Sequence, residues 1–261
     1  MIAILLRRLQ SRPSASADDQ VLGRCERGAL TAALALGSAM NKQTIAIAVG
    51  PARREDRVLA MALRGGASRA VRVSDEGLED LDYLGLAQVL AATIKWVGAS
   101  IVLCGDRSEE EGTGAVGPAV AELIGAAHLT SIASIKSESN GARTMLLVER
   151  VAGGTRERFR IEAPVVLCMR PPLVRPRTGT GDTTEELTRT PRNAPSSIEE
   201  LDLGRLGLEA RAIGHRRGTA GRLRPVRGPR RAAVASSAAD LIRRLRADHL
   251  VPPARVDEEA S

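Results

Sequence analysis

Apolar runs and one-sided helical stripes alternate along the first half of this chain. Residues 2–6, 44–49, 70–73 and 100–104 are short and largely apolar. Runs of that length without a polar alternation read as strands covered on both faces. Between them the period becomes that of a helix. Ala29, Leu30, Ala33 and Leu34 fall on one face, as do Val58, Leu59, Ala62 and Leu63. Leu84, Ala87, Leu90, Ala91, Ile94 and Val97 form the clearest stripe. Strand and helix in turn predict an α/β fold with a mainly parallel sheet and helices on both faces.

After Gly125 the pattern shifts. Residues 129–135, 144–150 and 156–161 read as strands separated by the turn sequences SNGA and AGGT, which predicts a β-hairpin added to the sheet. Residues 165–169 give one more buried strand. From Arg170 to Arg231 the chain is rich in Pro, Arg, Gly and Thr, with some apolar pattern only at 198–208. It reads as an extended arm ordered by a partner. The arm is expected to end in a helix, where Ser237 and Asp240 have capping-box spacing ahead of Leu241, Ile242 and Leu245. The predicted division is a domain over 1–170, an arm over 171–250 and a disordered tail over 251–261.

Length and composition narrow the function. At 261 residues the chain can form one large α/β domain with an extension. No apolar run is long enough to span a bilayer. Arg7 and Arg8 follow the first apolar run, the wrong order for a secretory signal, so a cytoplasmic location without membrane insertion is expected. Cys25, Cys104 and Cys168 form no CxxC pair, and Cys104 and Cys168 read as buried thiols. His128, His215 and His249 are scattered without metal-binding spacing, so no metal site is expected.

The formal charge of +7 is uneven: residues 205–255 carry thirteen arginines against Glu209, Asp240 and Asp248. Such a segment suits an acidic partner surface, nucleic acid or an anionic cofactor. Genomic base composition is an equally good source of the arginine bias, since Lys42, Lys95 and Lys136 are the only lysines. Tyr83, Trp96 and Phe159 are the only aromatic residues, so the platforms on which single-stranded nucleic acid stacks are missing. No nucleic-acid partner is expected.

The most informative stretch is LCGDRSEEEGTGAVGPAVAELIG, from Leu103 to Gly125. A strand leads into a glycine-bearing loop that opens a helix, and the free amides and positive dipole end of a helix start can hold an anion. Gly112, Gly114 and Gly117 match G-x-G-x-x-G, but too far beyond the strand for a dinucleotide fingerprint. No GK[ST] P-loop and no nucleophile–base spacing is present, which argues for a binding subunit without catalytic residues. A structural turn remains the alternative to a nucleotide here. Glu109, Glu110 and Glu111 oppose a phosphate; they are expected to meet ribose hydroxyls, an adenine amine or solvent.

The chain resembles the β subunit of electron-transfer flavoproteins. Residues 23–36 (GRCERGALTAALAL) line up with the family's N-P-x-D-x-x-A-L-x-x-A-L-x-L. Residues 48–75 (AVGPARREDRVLAMALRGGASRAVRVSD) match its strand, G-P turn, helix and A-L-x-x-G-A-x-R segment. The 103–125 stretch matches L-C-G-x-x-x-x-D-G-D-T-G-Q-V-G-P-x-x-A-E-x-L-G. VERVAGGTRERFRIEAPVVLCM fits the family's charged hairpin closing on a buried Pro-led strand.

That resemblance implies a Rossmann-like adenine-nucleotide-binding fold paired with an α subunit that carries most of the FAD contacts. The heterodimer would move electrons from flavoprotein dehydrogenases, such as acyl-CoA dehydrogenases, toward a quinone oxidoreductase. The β chain would hold a structural AMP, or a second FAD in electron-bifurcating relatives. A non-redox adenylate-binding module of the same fold is the rival reading. Carried over by position, the pocket would involve Leu5, then Gly23, Arg24, Cys25 and Glu26, then Val49. Gly105, Asp106, Glu110, Gly112, Thr113, Gly114, Ala115 and Val116 would supply its loop.

The departures are specific. Gly23, Arg24 and Cys25 replace Asn-Pro-Phe, and Ala115 stands where the family has Gln. Arg24 is expected to bring a cation toward the pocket. Val174, Arg175, Pro176 and Arg177 keep the P-R of a partner-docking loop, but TGTGD follows, and no leucine appears until Leu187. Since an apolar anchor supplies most of the energy in such contacts, a weaker or different redox partner is expected. Leu223, Val226, Leu241, Ile242 and Leu245 would pack the arm on the α subunit.

Overall fold

The computed structural model describes residues 1–7, 22–78, 81–109, 112–140, 143–171, 198–214 and 235–251. In chain order these form β1 (Ile2–Leu5), α1 (Arg24–Met40), β2 (Thr44–Val49), α2 (Ala52–Arg64), β3 (Arg69–Val73), α3 (Tyr83–Val97), β4 (Ile101–Gly105) and α4 (Val116–Ile124). Then come β5 (Ala127–Asn140), β6 (Arg143–Ala152), β7 (Thr155–Glu162), β8 (Val165–Met169), β9 (Glu199–Leu201) and α5 (Ala238–Ala247). Glu110, Glu111, the docking segment around 174–187, Leu223, Val226 and residues 252–261 lie outside the described residues.

One nine-stranded sheet runs in the order β7-β6-β5-β8-β4-β1-β2-β3-β9. From β5 through β8, β4, β1, β2 and β3 to β9 the pairing is parallel. β5, β6 and β7 pair antiparallel. The sheet is therefore mostly parallel and sits in a mixed α/β fold. Side chains alternate across β1: Ile2 and Ile4 pack with Ala29, Leu30, Val58 and Leu59 of α1 and α2. Ala3 and Leu5 pack with Ala87 and Leu90 of α3 and with Val120 and Ala121 of α4. Both faces are buried, which is why the strands read as unbroken apolar runs. Gly153 and Gly154, both at positive φ (57° and 79°), make the two-residue turn into β7.

Residues 198–214 correct the expectation of an arm that waits for a partner. β9 adds to the sheet parallel to β3, and Leu201, Leu203 and Ile213 are buried. The charges that made this stretch look too polar to pack are used against β3. Arg69 pairs with Glu199 at 2.8 Å, and Arg72 pairs with Glu200 at 2.8 Å and with Asp56 of α2. Burial alone would lower the Arg72 pKa, but Glu200 and Asp56 outweigh it and raise it. The Arg205 guanidinium lies 5.6 Å from the centre of the Trp96 ring, and Gly214 N–H donates to Gln88 Oε1 at 2.9 Å.

The compact unit carrying the sheet spans Met1–Arg217, and Gly218–Ser261 forms a second. Within the second, Ser237 Oγ accepts the Asp240 N–H at 3.1 Å and caps α5. Asp240 returns its carboxylate to Ser236 N–H at 3.0 Å, one residue before the partner a capping box would choose. Arg244 and Arg243 flank that carboxylate and hold its pKa down at about 2. Among the described residues no helix is long and apolar enough to cross a membrane.

Candidate functional site

β1 and β4 are neighbours, but the chain leaves them in opposite directions. After β1 it moves through α1 to β2; after β4 it moves through α4 toward β5 and β8. The two helices lie on opposite faces, so a crevice opens between them at the carboxyl ends of the strands. A cleft of about 580 Å³ lies there, floored by Leu5, Val49 and Gly105 at the ends of β1, β2 and β4.

Of the helices that begin near this cleft, α1 and α4 have starts that differ. The residue before α1 is Gly23, with extended backbone (φ −61°, ψ 162°) and no side chain to cap with. Glu109, 85 residues further on, takes that role: the Arg24 N–H donates to its Oε1 at 2.7 Å. Glu26 adds a second carboxylate to the first turn of α1. Its side chain packs so closely on Gly23 that a Cβ there would collide with it, and a Cβ on Gly105 would lie 3.1 Å from its carboxyl carbon.

Among the described residues no side chain caps the α4 start, where Ala115 already has helical backbone (φ −84°, ψ −26°). Pro118 brings no N–H, and Ala119 N–H returns to Ala115 O at 3.1 Å. Val116 and Gly117 carry the first-turn amides that lack an intrahelical acceptor, and both residues line the cleft. Gly117 is required by close approach. A Cβ there would collide with Cys168 Sγ and lie 3.0 Å from Cys104 Sγ. Those thiols sit in register on β4 and β8, 3.5 Å apart. The hydrogen bond that the Cys104 thiol donates to Cys168, together with burial, pushes its pKa well above the usual thiol value.

Of the residues expected in the pocket, Leu5, Glu26, Val49, Gly105, Thr113, Gly114, Ala115 and Val116 line the cleft. Five described ones do not. Gly23 and Cys25 are buried behind it, and Arg24 is exposed. Asp106 is turned to β5, where it accepts the Ser131 N–H at 2.9 Å and lies 3.3 Å from Ser131 Oγ. Ser131 has positive φ (58°), so Asp106 fixes the bulge in β5. Gly112 N–H donates to Ser108 within the loop.

The cation lining the cleft, among the described residues, is Arg7 in place of Arg24. The opposite wall, from the end of β3 to the start of α3, also went unforeseen: Ser74, Asp75, Glu76, Asp82 and Tyr83. Asp75 accepts the Leu203 N–H at 3.2 Å and Asp82 the Gly85 N–H at 2.7 Å. The cleft thus presents helix amides on the α4 side and carboxylates on the α3 side, with the Glu26 carboxylate of α1 near its floor at Gly105. An anion suits the first, and hydroxyl or amine donors suit the second.

The electron transfer flavoprotein domain family matches residues 15–195, which include α1, the 106–115 loop, α4 and β8. The chain belongs to the electron transfer flavoprotein family.

Its relatives put it on the β-subunit side. It is 27% identical over 172 residues to an electron transfer flavoprotein subunit beta of Methylophilus methylotrophus, covering 66% of this chain and 62% of the relative. It is 32% identical over 133 residues to the protein FixA of Azorhizobium caulinodans, 49% of this chain and 47% of that one. An acryloyl-CoA reductase electron transfer subunit gamma of Anaerotignum propionicum is 26% identical over 156 residues, 58% of this chain and 57% of the relative. The chain therefore spans about half to three-fifths of the length of these relatives. The departure of Gly23, Arg24 and Cys25 from the Asn-Pro-Phe that the resemblance leads one to expect has a physical content. Gly23 leaves the space that the Glu26 carboxyl occupies, and Glu109 supplies the cap that residue 23 lacks.

Proposed function

We propose that the chain is the β subunit of a heterodimeric electron-transfer flavoprotein whose cleft holds an adenylate, either AMP or the AMP half of a second FAD. The observation that carries this reading is the α4 start, a set of uncapped amides opening into a switch-point cleft in a chain of this family. Val116 and Gly117 amides would receive the phosphate, with Thr113 and Arg7 beside it. The carboxylates of the α3 side would accept from ribose hydroxyls or the adenine amine. Flavin shared with the α subunit would supply the electron chemistry, and this chain would help enclose it. Electrons would come from flavoprotein dehydrogenases and pass to a quinone oxidoreductase. Exposed Leu241 and Ile242 on α5 support docking of the arm on the α subunit.

The test is co-expression with an α-type flavoprotein subunit, followed by absorbance of the purified complex and mass spectrometry of the nucleotides it releases. Flavin absorbance with both FAD and AMP released is the expected result. Retained adenylate without flavin would instead support a non-redox adenylate module, and neither ligand would overturn the proposal.

A further inference from the structure

We infer that Tyr83 is the residue that closes over the base of the nucleotide and makes the cleft select a ligand with a flat aromatic end. This rests on the adenylate reading above and adds to it a residue and an orientation. The chain fills its interior with Leu, Ile, Val and Ala and has three aromatic side chains. Trp96 lies beside Arg205, and Phe159 pairs with Val148 across β6 and β7. Tyr83 alone of the three lines the cleft, yet 54% of it is exposed. A ring with both properties stands at the mouth, over the opening and outside the core. What sets Tyr83 apart from other exposed side chains is that its ring also lines the cleft, where it can stack on a ligand's flat end.

The ring is also pre-positioned. Tyr83 is the first residue of α3, and Asp82 before it caps the helix through Gly85 N–H at 2.7 Å. Gly85 in turn sits against Gly214 O so closely that a Cβ would collide, which seats this turn on residues 198–214. The backbone that carries the ring is therefore fixed before a ligand arrives. Leu78, Leu81, Leu86 and Leu90 line the same side of the cleft and give a base an apolar bed. With the anion at the α4 amides, the flat end of the ligand comes to lie on the α3 side, beneath Tyr83.

The test uses the full-length chain, freed of nucleotide, titrated by calorimetry with AMP and with ribose 5-phosphate, which keeps the sugar and phosphate but has no base. Tyr83→Ala should weaken AMP binding by about tenfold or more, the usual loss when an aromatic platform for a base is removed. It should leave ribose 5-phosphate binding unchanged. Tyr83→Phe, which keeps the ring, should stay within about threefold of the parent. Trp96 fluorescence and the thermal midpoint report whether the variants are folded. AMP binding unchanged in Tyr83→Ala, both probes weakened equally, or Tyr83→Phe losing as much as Tyr83→Ala would each overturn the role of Tyr83 while the adenylate reading stands. Failure of the parent chain to bind AMP would overturn the adenylate reading itself.

Discussion

The starts of α1 and α4 are near neighbours with opposite electrostatic histories. Each presents free amides and a positive dipole end toward the loops above the sheet. At α1 the chain supplies its own anion, the Glu109 carboxylate on Arg24 N–H. At α4 none is supplied among the described residues. A helix start that is filled from within is structural, and one left open beside a cleft is a receptor for an anion from outside. Glu109, the one of the three loop glutamates among the described residues, is thus turned to the other helix and does not oppose a phosphate at α4.

The largest expected effect comes from disturbing how α4 is seated. Gly117→Val forces a side chain onto Cys104 and Cys168 and should cost about 2–3 kcal/mol of stability in urea unfolding, with loss of AMP binding. An unchanged unfolding midpoint would mean that the close approach of helix and thiols is dispensable. Next, Ala115→Asp makes α4 resemble α1 by placing a carboxylate at its open end. AMP affinity should fall about tenfold or more by repulsion, while the thermal midpoint holds or rises, since an acid in the first turn favours the helix. Unweakened AMP binding would place the phosphate elsewhere.

The converse change, Glu109→Ala, opens α1 and should cost about 1 kcal/mol, read as a lower thermal midpoint. AMP affinity should not fall with it. The smallest effect belongs to a third helix start. Asp240, held down at about 2 by Arg244 and Arg243, should contribute fully above the ordinary carboxylate pKa near 4. That contribution is lost as pH falls from about 4 through about 2, because only the folded state gains from keeping the charge. Carboxyl NMR of Asp240 should show the low midpoint, and Asp240→Asn should remove the acid dependence of α5.

What the sequence revealed follows from how local the causes are. β2 and β8 were legible to the residue, because burial on both faces makes an unbroken apolar run. The α3 stripe was legible because one face packs on the sheet over four turns. β9 was not, since three residues carry no period and its stability lies in Arg69 and Arg72, more than a hundred positions earlier. The α4 side of the cleft is one contiguous segment and could be read. Its α3 side is assembled from the ends of β1 and β3 and the start of α3, with Asp75 held by the Leu203 N–H, and these meet only in three dimensions. In the sequence Arg7 is only part of the charge that follows the first apolar run, and the position of β1 beside β4 brings it into the cleft. Tyr83 carried one signal, its rarity.

The far end of the sheet has its own consequence. β7 is the last strand of the described sheet, and Arg156, Arg158 and Arg160 stand exposed along it, tied to Glu149 and Glu138 of the neighbouring strands. An edge of eight residues would otherwise invite a tenth strand from another molecule. Three guanidinium groups in a row make that docking costly in desolvation and in like-charge repulsion, so the row acts as a guard against edge-to-edge aggregation.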